Sequence, residues 1–286
     1  MYKARKIIAS VTTIPSRLAK ADESISSIMR QHVSPDEIVL CLPKESLREP
    51  SEGDPYDLPD TIKNLQKSGR LTIIRTENDY GPATKLLGVL EREIEKDYTL
   101  DNEPLIITFD DDKFYEPEAI SQMLNPYLIE SGCVICRKGS NFYVVDKSHP
   151  LYNEQSEGLI EKQRQCFDLK SPMRVDIVFG GGMVMYRPSF FDEDVFEYEE
   201  SYEDFPADRA FFVDDLFISG YLARRGVNKV VVNTPKSNQQ QKMPNGIIDM
   251  NTENKDINPI ALLTRRHKNI SHDTIEFFKK DFSSKI

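Results

Sequence analysis

The stretch Leu105-Ile106-Ile107-Thr108-Phe109-Asp110-Asp111-Asp112 decides how this chain folds. Its first five residues form an apolar run that reads as a buried strand, and the strand ends abruptly in three aspartates. In an open α/β sheet ligands gather beyond the carboxyl ends of the strands, so chemistry belongs where those aspartates stand. Toward the amino end, short β-like runs alternate with helical patterns: Lys6 to Val11, Asp22 to Gln31, Glu37 to Leu42, a short helix, then Leu71 to Arg75. This alternation predicts an α/β fold with a mostly parallel central sheet flanked by helices. Lys44 to Pro59, rich in Pro, Glu, Asp and Ser, reads as an exposed loop. Gly81-Pro82 opens a helix with proline at its first position, and Leu86, Leu87, Leu90 and Ile94 then share a face.

Toward the carboxyl end the rhythm loosens. Pro117 to Ile129 reads as a helix, Val134 to Cys136 and Phe142 to Val145 as strands, and a polar stretch runs on to Lys170. Arg174 to Phe179 and Met183 to Tyr186 flank Gly180-Gly181-Gly182. A helix follows from about Asp208 to Arg225, with Gly226 as its cap and Lys229 to Val232 as a last strand. Lys236 to Asp256, dense in Gln, Asn, Lys and Asp, reads as a mobile loop or lid. With 286 residues, 39% of them hydrophobic, the chain is expected to form one domain over 1–286, a ligand-binding half at 1–130 and an acceptor half at 131–286.

A formal net charge of -10 argues against a nucleic-acid partner, because neutralising phosphates requires clustered Lys and Arg. Any anionic ligand must be met locally, by a cation, a helix end or a few basic side chains. No apolar run approaches the roughly 18 to 20 residues of a transmembrane segment, and Ile7 to Val11 is too short for a signal peptide. The expected location is therefore cytoplasmic, with peripheral membrane association left open. Cys133 and Cys136 form the one close cysteine pair, with no second pair or nearby His to complete a zinc site. They, Cys41 and Cys166 are expected to be buried or half-buried thiols in a reducing compartment.

Asp110 and Asp112, at alternate positions of a strand end, can face one cavity together, while Asp111 between them can accept hydrogen bonds from backbone or ribose. Such hard oxygen ligands suit Mg²⁺ or Mn²⁺. An acidic turn that merely caps the next segment has the same spacing. Gly180 to Gly182 let backbone approach a sugar closely, or make an ordinary hairpin turn. Asp214 and Asp215 interrupt a helical pattern dominated by Phe211, Phe212, Leu216 and Phe217, where an unpaired carboxylate is costly to bury. If they face a ligand site, one is a natural general base. If they face water, they are tandem surface acids.

Three segments, Ser10-Val11-Thr12-Thr13-Ile14-Pro15-Ser16-Arg17-Leu18, Asn78-Asp79-Tyr80-Gly81-Pro82-Ala83-Thr84-Lys85-Leu86-Leu87 and Asp110-Asp111-Asp112, resemble bacterial and viral GT-A glycosyltransferases near the family 2 type. They occur in the family's order. Gly180-Gly181-Gly182 is similar to its glycine-rich loop, and Val213-Asp214-Asp215 to its x-Glu-Asp motif, with Asp214 in place of the usual Glu. His267 is similar to the C-terminal histidine that joins the metal site, although His272 lies near. The resemblance implies a GT-A fold, that is, a Rossmann-like nucleotide-diphospho-sugar transferase.

It also implies roles. Thr12, Thr13, Pro15 and Arg17 would hold base and ribose, Asp79 the base edge, and Asp110 the ribose, with Asp111 beside it. Lys85 would lie near the phosphates, Gly181 and Gly182 near the sugar, and Asp112, with Asp110 and His267, on a Mn²⁺ or Mg²⁺ ion. The expected reaction moves a sugar from a nucleoside-diphosphate donor, UDP by the resemblance, to a hydroxyl of a glycan or other acceptor. It proceeds with inversion, Asp215 as base, and Asp214 pointing elsewhere because helix neighbours lie about 100° apart. Two rivals stand beside it. A sugar nucleotidyltransferase would carry a glycine-rich basic loop after the first strand, which Thr12 to Arg17 lacks. A catalytically silent carbohydrate-binding module would show no turnover.

Overall fold

A computed structural model describes residues 5–99, 101–151, 159–197, 214–234 and 247–249. The chain begins with β1 (Ile7–Thr12), α1 (Ala21–Met29), β2 (Glu37–Pro43), α2 (Asp60–Lys67), β3 (Thr72–Thr76), α3 (Thr84–Glu93) and β4 (Leu105–Asp110). These four strands pair in parallel in the order β3-β2-β1-β4. Every residue of β1 is buried, as are Leu105 to Phe109 of β4, because helices and loops cover both faces of such a sheet. The continuous apolar runs of the sequence have this origin.

α3 packs across β1, β2, β3 and β4. Its Gly88 makes the close approach possible: a Cβ there would stand 2.9 Å from Thr76 Cγ2 and 3.1 Å from Cys41 Sγ. Any side chain would lift the helix off the sheet.

The second part adds β5 (Lys113–Tyr115), α4 (Ala119–Met123), α5 (Pro126–Glu130), β6 (Val134–Cys136), β7 (Lys138–Val144), β8 (Leu159–Gln165), β9 (Met173–Val175) and β10 (Ile177–Val178). β11 (Val184–Tyr186), α6 (Asp214–Arg224), β12 (Lys229–Val231) and β13 (Ile247–Asp249) follow. The large sheet runs β3-β2-β1-β4-β11-β6-β12-β9. β11 is antiparallel to both β4 and β6, β12 is parallel to β6, and β9 is antiparallel to β12. The α/β fold with a mostly parallel central sheet is thus present, and its strands come from both halves of the chain. β10, β7 and β8 form a separate antiparallel sheet, and β13 pairs with β5 beside the aspartate triple.

Several expectations need correction. The helix expected from Pro117 to Ile129 is two, because Pro126 disfavours helical backbone at Asn125, whose side chain instead caps α5 by accepting from Leu128 N–H. Arg174 to Phe179 is not one strand: at Asp176 the chain leaves the large sheet for the small one, so β9 and β10 belong to different sheets. Consequently Gly180–Gly182 is a 3-10 turn linking two sheets and not a hairpin. The polar stretch to Lys170 contains β8, which among the described residues pairs with β7 alone and carries little apolar pattern. Lys44 to Pro59 is only partly exposed: Ser46 and Tyr56 are buried.

Gly226 does cap α6, with φ +70°, and Val227 N–H donates to Leu222 C=O at 2.9 Å. Residues 208–213 of the expected helix lie outside the described residues, as does the expected lid apart from 247–249. Cys41, Cys136 and Cys166 are buried free thiols and Cys133 is half-buried. No described helix is long and apolar enough to cross a membrane.

Candidate active site

The parallel strands β1 to β4 end on one edge of the sheet, and register sets Thr12 beside Asp110. Thr12 hydroxyl donates to Cys41 C=O at 2.8 Å, fastening the end of β1 to β2. Ile14 is extended, and Pro15, with φ already helical, opens a 3-10 turn over Pro15–Lys20 that is closed by Arg17 N–H on Ile14 C=O at 3.0 Å. The turn brings Arg17 back over the aspartates, where Nη2 lies 2.8 Å from Asp111 Oδ1 and Nη1 3.2 Å from Asp112 Oδ2. Asp111 also accepts a short hydrogen bond from the Thr13 hydroxyl. Its side chain is 4% exposed. Burial pushes its carboxyl up to about 6, against the pull of Arg17. Lys113 Nζ approaches Asp112 at 3.7 Å.

Asp110 is held through its main chain. Its N–H donates to the Tyr115 hydroxyl and its C=O accepts from Ser24 Oγ, both at 2.8 Å. Its carboxylate meets Lys85, whose Nζ lies 3.0 Å from Asp110 Oδ1 and 3.2 Å from Asp214 Oδ2. The Lys85 side chain is 8% exposed. Burial works against its charge, but the carboxylates of Asp110, Asp214 and Asp215 prevail and hold its pKa well above the usual lysine value. Asp215 Oδ1 accepts from Gly180 N–H at 2.6 Å. Burial, and then the like charge of Asp214, push its carboxyl up to about 8 despite Lys85.

The expectation that Asp214 points elsewhere is therefore corrected. Both acids stand in the first turn of α6, and the long Lys85 side chain reaches between them, so 100° of helical rotation does not separate their charges. Gly180 completes the arrangement. A Cβ there would stand 3.0 Å from Lys85 Nζ and 3.1 Å from Asp215 Oδ1, so any larger residue would press on both side chains of the joint. A Cβ on Gly181 would meet Asp110 Oδ2 at 3.2 Å, whereas one on Gly182 would strike Lys138 of β7. Met183, which leaves this turn, has φ +70° and ψ 131°, a sparsely populated positive-φ conformation that costs a non-glycine residue roughly 1–3 kcal/mol.

Asp79 sits apart from the carboxylate cluster. Its oxygens accept from Leu47 N–H at 2.9 Å and Gly81 N–H at 2.8 Å, pinning the loop after β2 to the turn before α3. His267 and His272 lie outside the described residues. Among the described residues no three or more His, Cys, Asp or Glu form a ready metal cage. Asp110 and Asp112 are nonetheless the hard oxygen donors that Mg²⁺ or Mn²⁺ take together with waters and phosphate oxygens. Around them Asp110, Asp111, Asp112, Asp214 and Asp215 stand with Arg17, Lys85 and Lys113, so that acids outnumber bases.

Sequence reasoning missed the Gly180 N–H, the Tyr115 and Ser24 anchors of Asp110, and Arg48. A signal for the last existed: Tyr56, a large aromatic within a Pro- and Asp-rich segment, marks a loop that folds back onto the sheet.

No family model and no curated protein matches the sequence. Among solved structures, the chain is similar to S. aureus TarS 1-349, with TM-score 0.42 and 11% identity over 82% of this chain and 58% of that one. For the same TarS segment in complex with UDP the TM-score is 0.43 and the identity 13%, again over 82% and 58%. The chain thus spans less than two thirds of the TarS chain.

Proposed function

We propose that the carboxyl edge of β1 to β4 is the active site of a GT-A type glycosyltransferase that moves a sugar from a nucleoside diphosphate, UDP in the first instance, to an acceptor hydroxyl with inversion. The observation that supports this reading most is the joint between the halves. Asp110 of the nucleotide side and Asp214 of α6 share Lys85, and Asp215 beside them is held by Gly180 N–H. A carboxyl raised to about 8 is poised near neutral pH, where a general base is most effective. Asp215 takes the acceptor proton, and Gly180 N–H keeps its other lone pairs directed. Asp110 and Asp112 would hold a Mn²⁺ or Mg²⁺ ion, which supplies positive charge against the departing diphosphate. Arg17 and Lys85 add fixed charge on either side of that position.

The test is a thermal-shift and product-release panel of nucleoside diphosphates and their sugars, with and without Mn²⁺. Ligand-induced stabilisation that requires Mn²⁺, with release of nucleoside diphosphate when an acceptor is present, is expected. Pyrophosphate release from a nucleoside triphosphate and sugar phosphate would instead identify a nucleotidyltransferase. Sugar binding without any turnover would identify a silent module.

A further inference from the structure

Arg48 belongs to the loop after β2, and three contacts fasten that loop over the site. Leu47 N–H donates to Asp79, the Glu49 carboxylate accepts from Ser16 N–H at 2.8 Å and from its hydroxyl at 2.6 Å, and the Tyr56 hydroxyl donates to Thr13 C=O at 3.2 Å. Arg48 is thereby held in a buried place whose electrostatic surroundings are set by Asp79, Tyr56, Arg17 and Asp111. Its Nε and Nη2 are buried and make no hydrogen bond, and the same is true of Arg17 Nε.

Nε and Nη2 are the two nitrogens of one guanidinium edge. Their N–H bonds run parallel and form the fork that accepts two oxygens of a carboxylate or phosphate. The carboxylates within reach are engaged elsewhere: Asp111 by Thr13 and Arg17, Asp79 by two backbone N–H groups. A buried guanidinium edge without an acceptor is unfavourable, and a second guanidinium beside it adds repulsion. A dianionic ligand with paired oxygens relieves both. A uracil edge does not match the fork, since its donor N–H stands between its two carbonyls.

We infer that Arg48 and Arg17 together form a receptor for a pair of phosphate oxygens. That the phosphate belongs to a nucleoside diphosphate rests on the proposed donor-binding function; recognition of phosphate by the fork does not.

Calorimetry of UDP, uridine and inorganic pyrophosphate binding to the parent, Arg48→Met and Arg48→Lys, at fixed Mg²⁺, tests the inference. In Arg48→Met, UDP and pyrophosphate are expected to weaken by the same factor, about ten-fold or more, with uridine unchanged. Arg48→Lys, which keeps charge but loses the fork, is expected to stay close to Arg48→Met. Thermal unfolding of the ligand-free variants is expected at or above the parent's temperature, since the buried edge makes no bond to lose. Unchanged pyrophosphate affinity in Arg48→Met, full recovery by Arg48→Lys, or a lowered unfolding temperature with unaltered affinity would each overturn the receptor. A parent that binds pyrophosphate through Arg48 but no nucleoside diphosphate would overturn the donor reading and leave the receptor standing.

Discussion

Arg17 and Lys85 grip different aspartates of one site, Asp111 and Asp112 against Asp110 and Asp214, and do so under different conditions. Arg17 is 29% exposed and divides its guanidinium between Asp111 and Asp112, so all of its ion pairs lie within the nucleotide side. Lys85 is nearly enclosed and joins β4 to α6, and through Asp215 to the glycine turn. Solvent reaches Arg17 and Asp112 more than Asp111, so this clamp can exchange its Asp112 contact for a ligand more readily than its Asp111 one. The second has no such freedom: withdrawing its charge leaves several acids facing one another in a poorly solvated place. An exposed clamp can take part in binding, whereas an enclosed one fixes where the other groups stand.

The contrast can be broken most severely at Lys85. Lys85→Met is expected to lower unfolding stability by about 3 kcal/mol or more, measured by urea denaturation, because Asp110, Asp214 and Asp215 lose their shared cation. A loss below about 1 kcal/mol would mean that the joint is as loose as the Arg17 clamp.

Asp215→Asn preserves size and removes the basic site. UDP affinity is expected to survive while glycosyl transfer falls about a hundred-fold or more, read from steady-state rates with NMR assignment of the anomeric product. A retained configuration, or transfer near the parent's rate, would make Asp215 an acceptor-orienting group. In the parent the rate is expected to climb as pH rises through about 8, and the variant should lose that limb. The same group acts on stability with a definite sign. Its folded pKa of about 8 exceeds its reference value of 3.8, so between those values the folded state retains a proton that the unfolded state releases. Its contribution is therefore full below about 4 and declines as pH rises toward 8.

Asp112→Ala is expected to leave the fold intact and to weaken Mn²⁺-dependent UDP binding by about ten-fold or more in calorimetry. Unchanged Mn²⁺ dependence would remove Asp112 from the metal set. The smallest effect belongs to Arg17→Met, with a stability loss of about 1 kcal/mol by thermal unfolding, because Asp112 can be solvated and buried Asp111 keeps the Thr13 hydroxyl and can take up a proton. A drop comparable to that of Lys85→Met would erase the distinction between the clamps.

Residues up to β4 were legible because β1, β2 and β4 are buried on both faces, β3 is half-buried, and each connection is local, so the four strands start and end within about a residue of their apolar runs. Beyond Pro117 the strands of the large sheet shorten to three residues, too few for any period to show, and the change of sheet at Asp176 leaves no mark on the Arg174 to Phe179 pattern. The carboxylates were legible by the same logic reversed: Asp110 and Asp214 stand where apolar stretches make a charge conspicuous. Arg48 was legible only through Tyr56, because its loop is fastened by Leu47, Glu49 and Tyr56 to Asp79, Ser16 and Thr13, which are distant in sequence. The order of Gly180 and Asp215 in the chain likewise cannot announce a hydrogen bond between them.

The placement of β11 has a consequence for biosynthesis. β4 is complete at Asp110, but the strand that covers its outer edge begins only at Val184, and β11 must enter between β4 and β6. At a ribosomal rate of about 5–20 residues per second, that apolar edge emerges several seconds before its partner. During this interval Leu105 to Phe109 is an open template for pairing with other chains, and shielding it is a task for the nascent chain's surroundings.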